Sequence, residues 1–489
     1  MDMLNDKLIW ACTHGFDNVA LELISVMKKN KCSFTYTDYN KNTALICACN
    51  MNLTNVIFEL ILLMSNETIN QINSKNETAL LWSCIKSSDK VALKLIPMMS
   101  DTIINHIGYR GETALIWACI RGLENVALEL ISRMSNKTIN QIIDQNCYQG
   151  TALIYACKNK LDKVIFELIP KITDEAINQV NHDKNTALIY ACMNGHEEIS
   201  LQLIKKMSIS MYRINQINIL NKTALYHACY QSLELVAIEL ISMMSNEAIN
   251  QISNNYYTVL SWSCYNKLEN VILKLLPRLS DNIINHIDIC KNSALIWVCF
   301  NGMENIAMEL IPKMSNNAIN QISSNGNTAL IWSCNNCLDK IAFKLINRMS
   351  IHAINNCNYN NDTVLIRACI NKLNNVAIKL IPKMSYNAIN TINKNKLTSL
   401  ICACYNKLED VALKLLPRMS IDTINHLSKC NRSALSYACS RGLEVVALDL
   451  ISLTHNHILR QVDNNGYTAL DYAIKNNLTK VIQNIKLIQ

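Results

Sequence analysis

A Thr-Ala-Leu-like triplet recurs along this chain and constrains its fold more than any other feature. It starts at Thr43, Thr78, Thr113, Thr151, Thr186, Thr223, Thr258, Ser293, Thr328, Thr363, Thr398, Ser433 and Thr468. The spacing is 35 residues, apart from one gap of 38 and one of 37. A degenerate first copy is anchored at Asp6 and continues Leu8-Ile9-Trp10-Ala11-Cys12. About fourteen copies thus account for all 489 residues. Length alone suggests about three domains. A fixed period of this size instead indicates a solenoid, in which each unit packs only on its neighbours.

One unit reads TALIWACIRGLENVALELISRMSNKTINQI, residues 113 to 143. Its first segment, Thr113 to about Arg121, has helical composition, and Gly122 suits the left-handed position that ends a helix. Val126, Ala127, Leu130, Ile131 and Met134 then fall on one face of a second helix, predicted over Glu124 to Met134. Ser135 suits an N-cap opening a short third turn, and an Asn-rich loop leads to the next triplet. All six prolines, Pro97, Pro170, Pro277, Pro312, Pro382 and Pro417, share one position late in the second helix. An interior proline removes one helical hydrogen bond. The expectation is an outward-facing position where the helix kinks or loosens, and not a hinge.

These units resemble ankyrin repeats. The resemblance rests on GYTALDYA (466 to 473), GNTALIWSC (326 to 334), GETALIWAC (111 to 119) and TALIYACMNGHEEISLQLI (186 to 204), and it runs over essentially the whole chain. The family's proline after Thr is replaced here by Ala, Val or Ser, its His mostly by Ile, and its period of 33 by 35. The resemblance implies an all-α, ankyrin-type solenoid of helix-turn-helix repeats over residues 1–489. The first copy covers about 6–42, and the last, about 468–489, serves as a C-terminal cap. Gln483 and Lys486 stand in that cap where earlier copies carry apolar Leu128 and Ile131. The Asn, Ile and Lys usage resembles the long ankyrin arrays of giant DNA viruses with A+T-rich genomes. A period of 35 also fits pentatricopeptide repeats, which read RNA. The Gly-x-Thr-Ala-Leu entry favours the ankyrin reading.

Composition narrows the function. The net charge of +8 is spread without a dense Lys/Arg run, so no electrostatic footprint for nucleic acid is evident. MDMLNDKLIW has acids and no apolar core, so no signal peptide is read there. No apolar run reaches the roughly 18 residues of a membrane span. The expected protein is monomeric, off the membrane, and located in cytoplasm or nucleus.

Thirteen of the 21 cysteines, from Cys12, Cys49, Cys84 and Cys119 onward to Cys439, occupy one repeat position. A small buried residue is expected there, and free Cys packs like one. Cys334 and Cys337 form a lone C-x-x-C that lacks the second pair a zinc site needs. His106, His286 and His426 share one repeat position but lie several repeats apart. No Ser-His-Asp set, phosphate-cradling glycine loop or His-Glu-x-x-His occurs. The reading is therefore no enzyme, no cofactor and no metal.

Trp10, Trp82, Trp117, Trp262, Trp297 and Trp332 all stand at the fifth position of the first helix, and are read as spacers between successive first helices. The end of that helix is more informative. In ankyrins the two residues after the small pair face the concave groove and touch partners. The first of them here is Ile85, Ile120, Met193, Tyr230, Tyr265, Phe300, Ile370 or Tyr405 in eight copies. Large apolar groups at an exposed position are what a binding patch needs; the alternative is that they tuck against the next helix. The expected function is a non-catalytic scaffold binding a protein through Tyr230, Tyr265, Phe300, Ile370, Tyr405, Ile85 and Ile120, viral and directed at host proteins. An RNA-binding helical repeat and a structural particle component are the alternatives.

Overall fold

The computed structural model describes residues 2–145, 148–207 and 213–488. The chain divides into two compact units, Met1–Gln251 and Ile252–Gln489, and each is a stack of the same repeat. In the repeat that begins at Thr113, the first helix is Ala114–Arg121 and the second is Glu124–Arg133. A short third helix, Asn136–Ile139, follows, and a hairpin loop leads on. The triplet's Thr is the N-cap of the first helix. Thr113 Oγ1 accepts the Ile116 N–H at 3.2 Å, supplying one of the partners that a helix start lacks. Ser135 caps the third helix in the same way, through Thr138 N–H. Gly122 ends the first helix at φ +73°, as its position predicted.

Successive first helices pack side by side, and so do successive second helices. Within the first unit Ala44–Met51 lies on Ala79–Ile85, and Asp89–Leu95 on Glu124–Arg133. Within the second, Ala294–Phe300 lies on Ala329–Asn335. Each repeat sends the same side chains between the layers. Leu115, Ala118, Cys119, Val126, Ala127 and Leu130 are all fully buried, as are Leu330, Cys334, Ile341, Ala342 and Leu345 in the second unit. Each full-sized aliphatic group contributes about 1.5–3 kcal/mol by leaving water. The Ala and Cys positions are small because two helices meet there. In the first copy Leu8 and Ile9 are buried while Trp10 is 54% exposed beside Phe16, at a ring distance of 5.3 Å. Gln483 and Lys486 are exposed.

The prolines sit where the second helix tightens. Glu304–Leu310 is α-helical and Ile311–Lys313 is a 3₁₀ turn, with Pro312 inside it. In copies carrying Ser or Asn at this place, the α-helix runs on without a 3₁₀ turn, as in Glu124–Arg133 and Asp339–Arg348. All six prolines are exposed. A 3₁₀ turn uses i→i+3 bonds, so the missing N–H costs the chain little at a helix end. The 38-residue copy uses its extra length for a small antiparallel pair, Ile142–Gln145 with Tyr148–Thr151. The 37-residue copy contains residues 208–212, outside the described residues.

Asparagine is the cement of the stack, in three recurrent roles. At the end of the third helix, Asn285 Oδ1 accepts the next repeat's Ser315 N–H at 2.6 Å, and Asn355 does the same for Ser385 at 2.8 Å. Just past the first helix, Asn301 Nδ2 donates to the previous repeat's Cys264 and Tyr265 carbonyls at 2.8 and 2.9 Å. Both carbonyls lie in the last turn of a first helix, where acceptors draw partners from outside the helix. At the hairpin base, buried Asn393 donates to Asp362 Oδ1 at 2.7 Å in the preceding loop. Its own Oδ1 accepts the N–H groups of Asn395 and Leu397. Arginine adds a fourth tie in some copies: Arg133 donates to the Ile96 and Met99 carbonyls one repeat back.

Candidate functional site

The residues at the first-helix ends divide into two groups. Tyr230, Tyr265, Phe300 and Tyr405 are 41–48% exposed. Ile85, Ile120, Met193 and Ile370 are half-buried, and Ile370 packs against the core of the second unit. Tyr230 belongs to the first unit and the other three aromatic residues to the second.

In the second unit two of these rings join the tryptophans in a continuous row. Tyr257 stacks on Trp262 at 4.6 Å. From there each ring stands nearly perpendicular to the next: Trp262 to Tyr265 at 5.7 Å, Tyr265 to Trp297 at 4.9 Å, Trp297 to Phe300 at 5.8 Å, and Phe300 to Trp332 at 4.7 Å. Edge-to-face contact is the favoured geometry for aromatic pairs. The row results from two repeat positions: the fifth residue of one first helix meets the last residue of the helix before it. Trp262, Trp297 and Trp332 are therefore half-buried spacers, as their position predicted, and each keeps part of its ring on the surface. Trp117, Tyr155 and Tyr190, at the same position in the first unit, are buried. Trp297 is oriented by its indole N–H, which donates to the buried Asp288 at 2.8 Å.

A groove of about 490 Å³ opens on this row. Tyr265, Ile296, Trp297, Phe300 and Trp332 form its apolar part, and Asn292, Asn301, Ser323, Asn325 and Asn327 its polar part. No charged side chain lines it. Further on, Tyr405 meets Tyr437 edge-on at 5.6 Å and carries the Arg441 guanidinium over its ring at 4.5 Å.

The hairpin tips carry a second set of exposed apolar residues, absent from the sequence-based candidates. Tyr39, Tyr109, Ile219, Ile289 and Tyr359 stand four residues before their triplets, and all are more than half exposed. The signal was the repeat position itself, where an apolar residue alternates with polar ones in a loop.

Most of the residue types that could carry chemistry are taken up by the packing, although the buried Nε2 atoms of His227 and His426 have no hydrogen-bond partner among the described residues. The thirteen ladder cysteines are buried, and burial raises the thiol pKa, to about 12 at Cys49 and Cys192. Cys334 is one of them, and Cys337 is exposed in the left-handed position, φ +56°. His106 and His286 each face a backbone carbonyl of the preceding hairpin, Asn76 at 3.0 Å and Tyr256 at 2.9 Å. His227 is buried at the tryptophan position, and its pKa falls to about 4 through burial and the nearby Lys222. Among the described residues no three His, Cys, Asp or Glu converge as metal ligands, and no helix is long and apolar enough to cross a membrane.

No curated protein matches this chain. The family model described as ankyrin repeats (3 copies) matches residues 163–242 and 260–353, which include Tyr230, Tyr265 and Phe300. The same helix, turn, helix and hairpin recur outside the matched segments with the same caps and the same buried positions. The fold is an all-α solenoid of ankyrin type.

Proposed function

We propose that this protein is a non-catalytic scaffold that binds a partner protein across the first-helix ends and hairpin loops. Ankyrin repeats are generally protein–protein interaction modules and typically carry no catalytic activity. The observation that carries the reading here is the aromatic row, which runs over three consecutive repeats and leaves Tyr265 and Phe300 nearly half exposed. Large aromatic residues held rigid by their neighbours are the side chains that dominate binding energy at interfaces. In ankyrin-type stacks this face is the concave one. The Asn, Ile and Lys usage favours a viral source, and a host protein as partner, action in cytoplasm or nucleus and a monomeric state belong to the same proposal.

The test is capture from nuclease-treated host lysate by the wild type and by Tyr230→Ala/Tyr265→Ala/Phe300→Ala, with the fold of both checked by circular dichroism. A specific protein retained by the wild type and lost by the folded variant supports the reading. Retention of the same proteins by both moves the binding face elsewhere. Loss of all retained material on nuclease treatment favours nucleic-acid binding instead.

A further inference from the structure

We infer that the groove over Trp297, Phe300 and Trp332 takes an extended, proline-rich segment of a partner, in the polyproline II conformation. The inference rests on the protein-binding reading above and specifies its ligand. Three observations carry it.

The first is period. Two ring steps, of 4.9 and 5.8 Å or of 5.8 and 4.7 Å, carry the row from one repeat to the next. Polyproline II rises about 3.1 Å per residue with about 3 residues per turn, so one turn spans about 9 Å. Stacked helices lie roughly 8–10 Å apart. A proline-rich strand running along the row therefore presents the same edge of its helix to each repeat in turn.

The second is the orientation of the rings. Consecutive rings are turned by 81–89°, so faces and edges alternate along the row. Aromatic faces are electron-rich and edges are electron-poor. A cation cage needs several faces turned to one point, which an alternating row does not offer, and no carboxylate lines the groove. A proline strand suits the alternation, since pyrrolidine rings lie on faces while carbonyl oxygens meet edges.

The third is the rim. Polyproline II makes no internal hydrogen bonds, so its carbonyls need outside donors. Asn292 and Asn325 line the groove, and among the described residues their carboxamides have no hydrogen-bond partner. Asn327 accepts at its Oδ1 from Asn358, which leaves its N–H groups available. A preformed ligand also loses little entropy on binding, which is how aromatic grooves bind such segments.

Fluorescein-labelled decaproline, titrated against the whole chain by fluorescence anisotropy, tests this. A glycine-serine decamer and a decamer bearing trimethyllysine serve as comparisons. Decaproline is expected to bind, with the other two weaker by about tenfold or more. Tyr265→Ala/Phe300→Ala is expected to weaken decaproline by a similar factor while retaining the wild-type circular dichroism at the assay temperature. Should that variant unfold at that temperature, Asn325→Ala, at an exposed rim position, is expected to weaken decaproline alone. Equal binding of all three decamers, no effect of either variant, or preference for trimethyllysine overturns the inference. If a lysate partner depends on the row but decaproline does not bind, the ligand assignment falls and the protein-binding reading stands. If neither depends on the row, both fall.

Discussion

The Asn320 carboxamide oxygen accepts the backbone N–H of Ser350 at 2.7 Å, thirty residues along the chain. Its nitrogen donates to the Asn316 carbonyl of its own helix at 2.7 Å. One side chain thus closes a third helix and fixes the start of the next. Asn320→Ala removes both bonds and is expected to cost about 1–2 kcal/mol. Asn317→Ala, exposed on the same short helix, is expected to change stability by less than about 0.5 kcal/mol. Urea denaturation of the two variants separates a bonding role for these asparagines from a compositional one.

His227 supplies a pH dependence. Burial and Lys222 hold its folded pKa at about 4, below the ordinary 6.5. The unfolded chain therefore binds this proton more readily. Its contribution to stability is complete above about pH 6.5 and declines as pH falls toward 4. His227→Tyr places there the residue type that is buried at Tyr155 and Tyr190. A melting-temperature profile from pH 7 to 4 should be flatter for this variant than for the wild type.

Asp463 acts at lower pH. Burial opposes its ionisation, but hydrogen bonds from Tyr472, the Tyr467 N–H, Arg432 and the Asn465 N–H prevail and lower its pKa to about 2. Arg432 Nε lies 2.5 Å from the carboxylate, and Tyr472 donates to it at 2.7 Å. A depressed carboxylate stabilises above the unfolded pKa, and this is lost as pH falls from about 4 through 2. Asp463→Asn should remove that acid limb. Arg432→Ala leaves a buried charge without its ion-pair partner and is expected to cost about 3 kcal/mol at neutral pH.

Lys407 holds φ at +60°, the left-handed position that Gly122 and Gly442 fill in other copies. A side chain there carries backbone strain that glycine does not. At Gly442 a Cβ would meet nothing within 4 Å, so the strain comes from the backbone and not from crowding. Lys407→Gly is expected to stabilise the protein by about 0.5–1 kcal/mol, read as a rise in melting temperature.

Thiol reactivity should separate the cysteines by position. Cys290, Cys337, Cys357 and Cys430 are exposed, whereas the ladder thiols are buried, and burial raises the pKa at Cys119 and Cys334. The thiolate is the reactive form. Mapping of iodoacetamide adducts by mass spectrometry should find those four labelled ahead of the ladder thiols under native conditions. Ladder cysteines such as Cys119 and Cys334 should react only once urea unfolds the stack. Early labelling of Cys119 would contradict the packing described.

Much of this architecture is legible in the amino-acid sequence. The helix bounds around Glu124, the turn at Gly122, the cap at Ser135, the buried ladder at Cys119 and the outward prolines all follow from local rules. A helix face, a left-handed stop and an N-cap each depend on a few adjacent residues. The first-helix ends were legible only as a class. Ile370 and Tyr405 share a repeat position, yet Ile370 packs against the core while Tyr405 stands out against Tyr437 and Arg441 of the next repeat, a difference set by contacts between repeats.

The asparagines show the same limit. Their abundance could be counted, but their bonds join residues some thirty positions apart, and only stacking brings Asn285 to Ser315 or Asn301 to Cys264. By itself the sequence determined the repeat, its register, its caps and its buried positions, because periodicity and backbone chemistry act over a single unit. Only the tertiary structure decided that Tyr265, Trp297, Phe300 and Trp332 meet in one row above a groove. Ring contact depends on the distance and angle between successive helices, and that geometry exists only once the repeats are stacked.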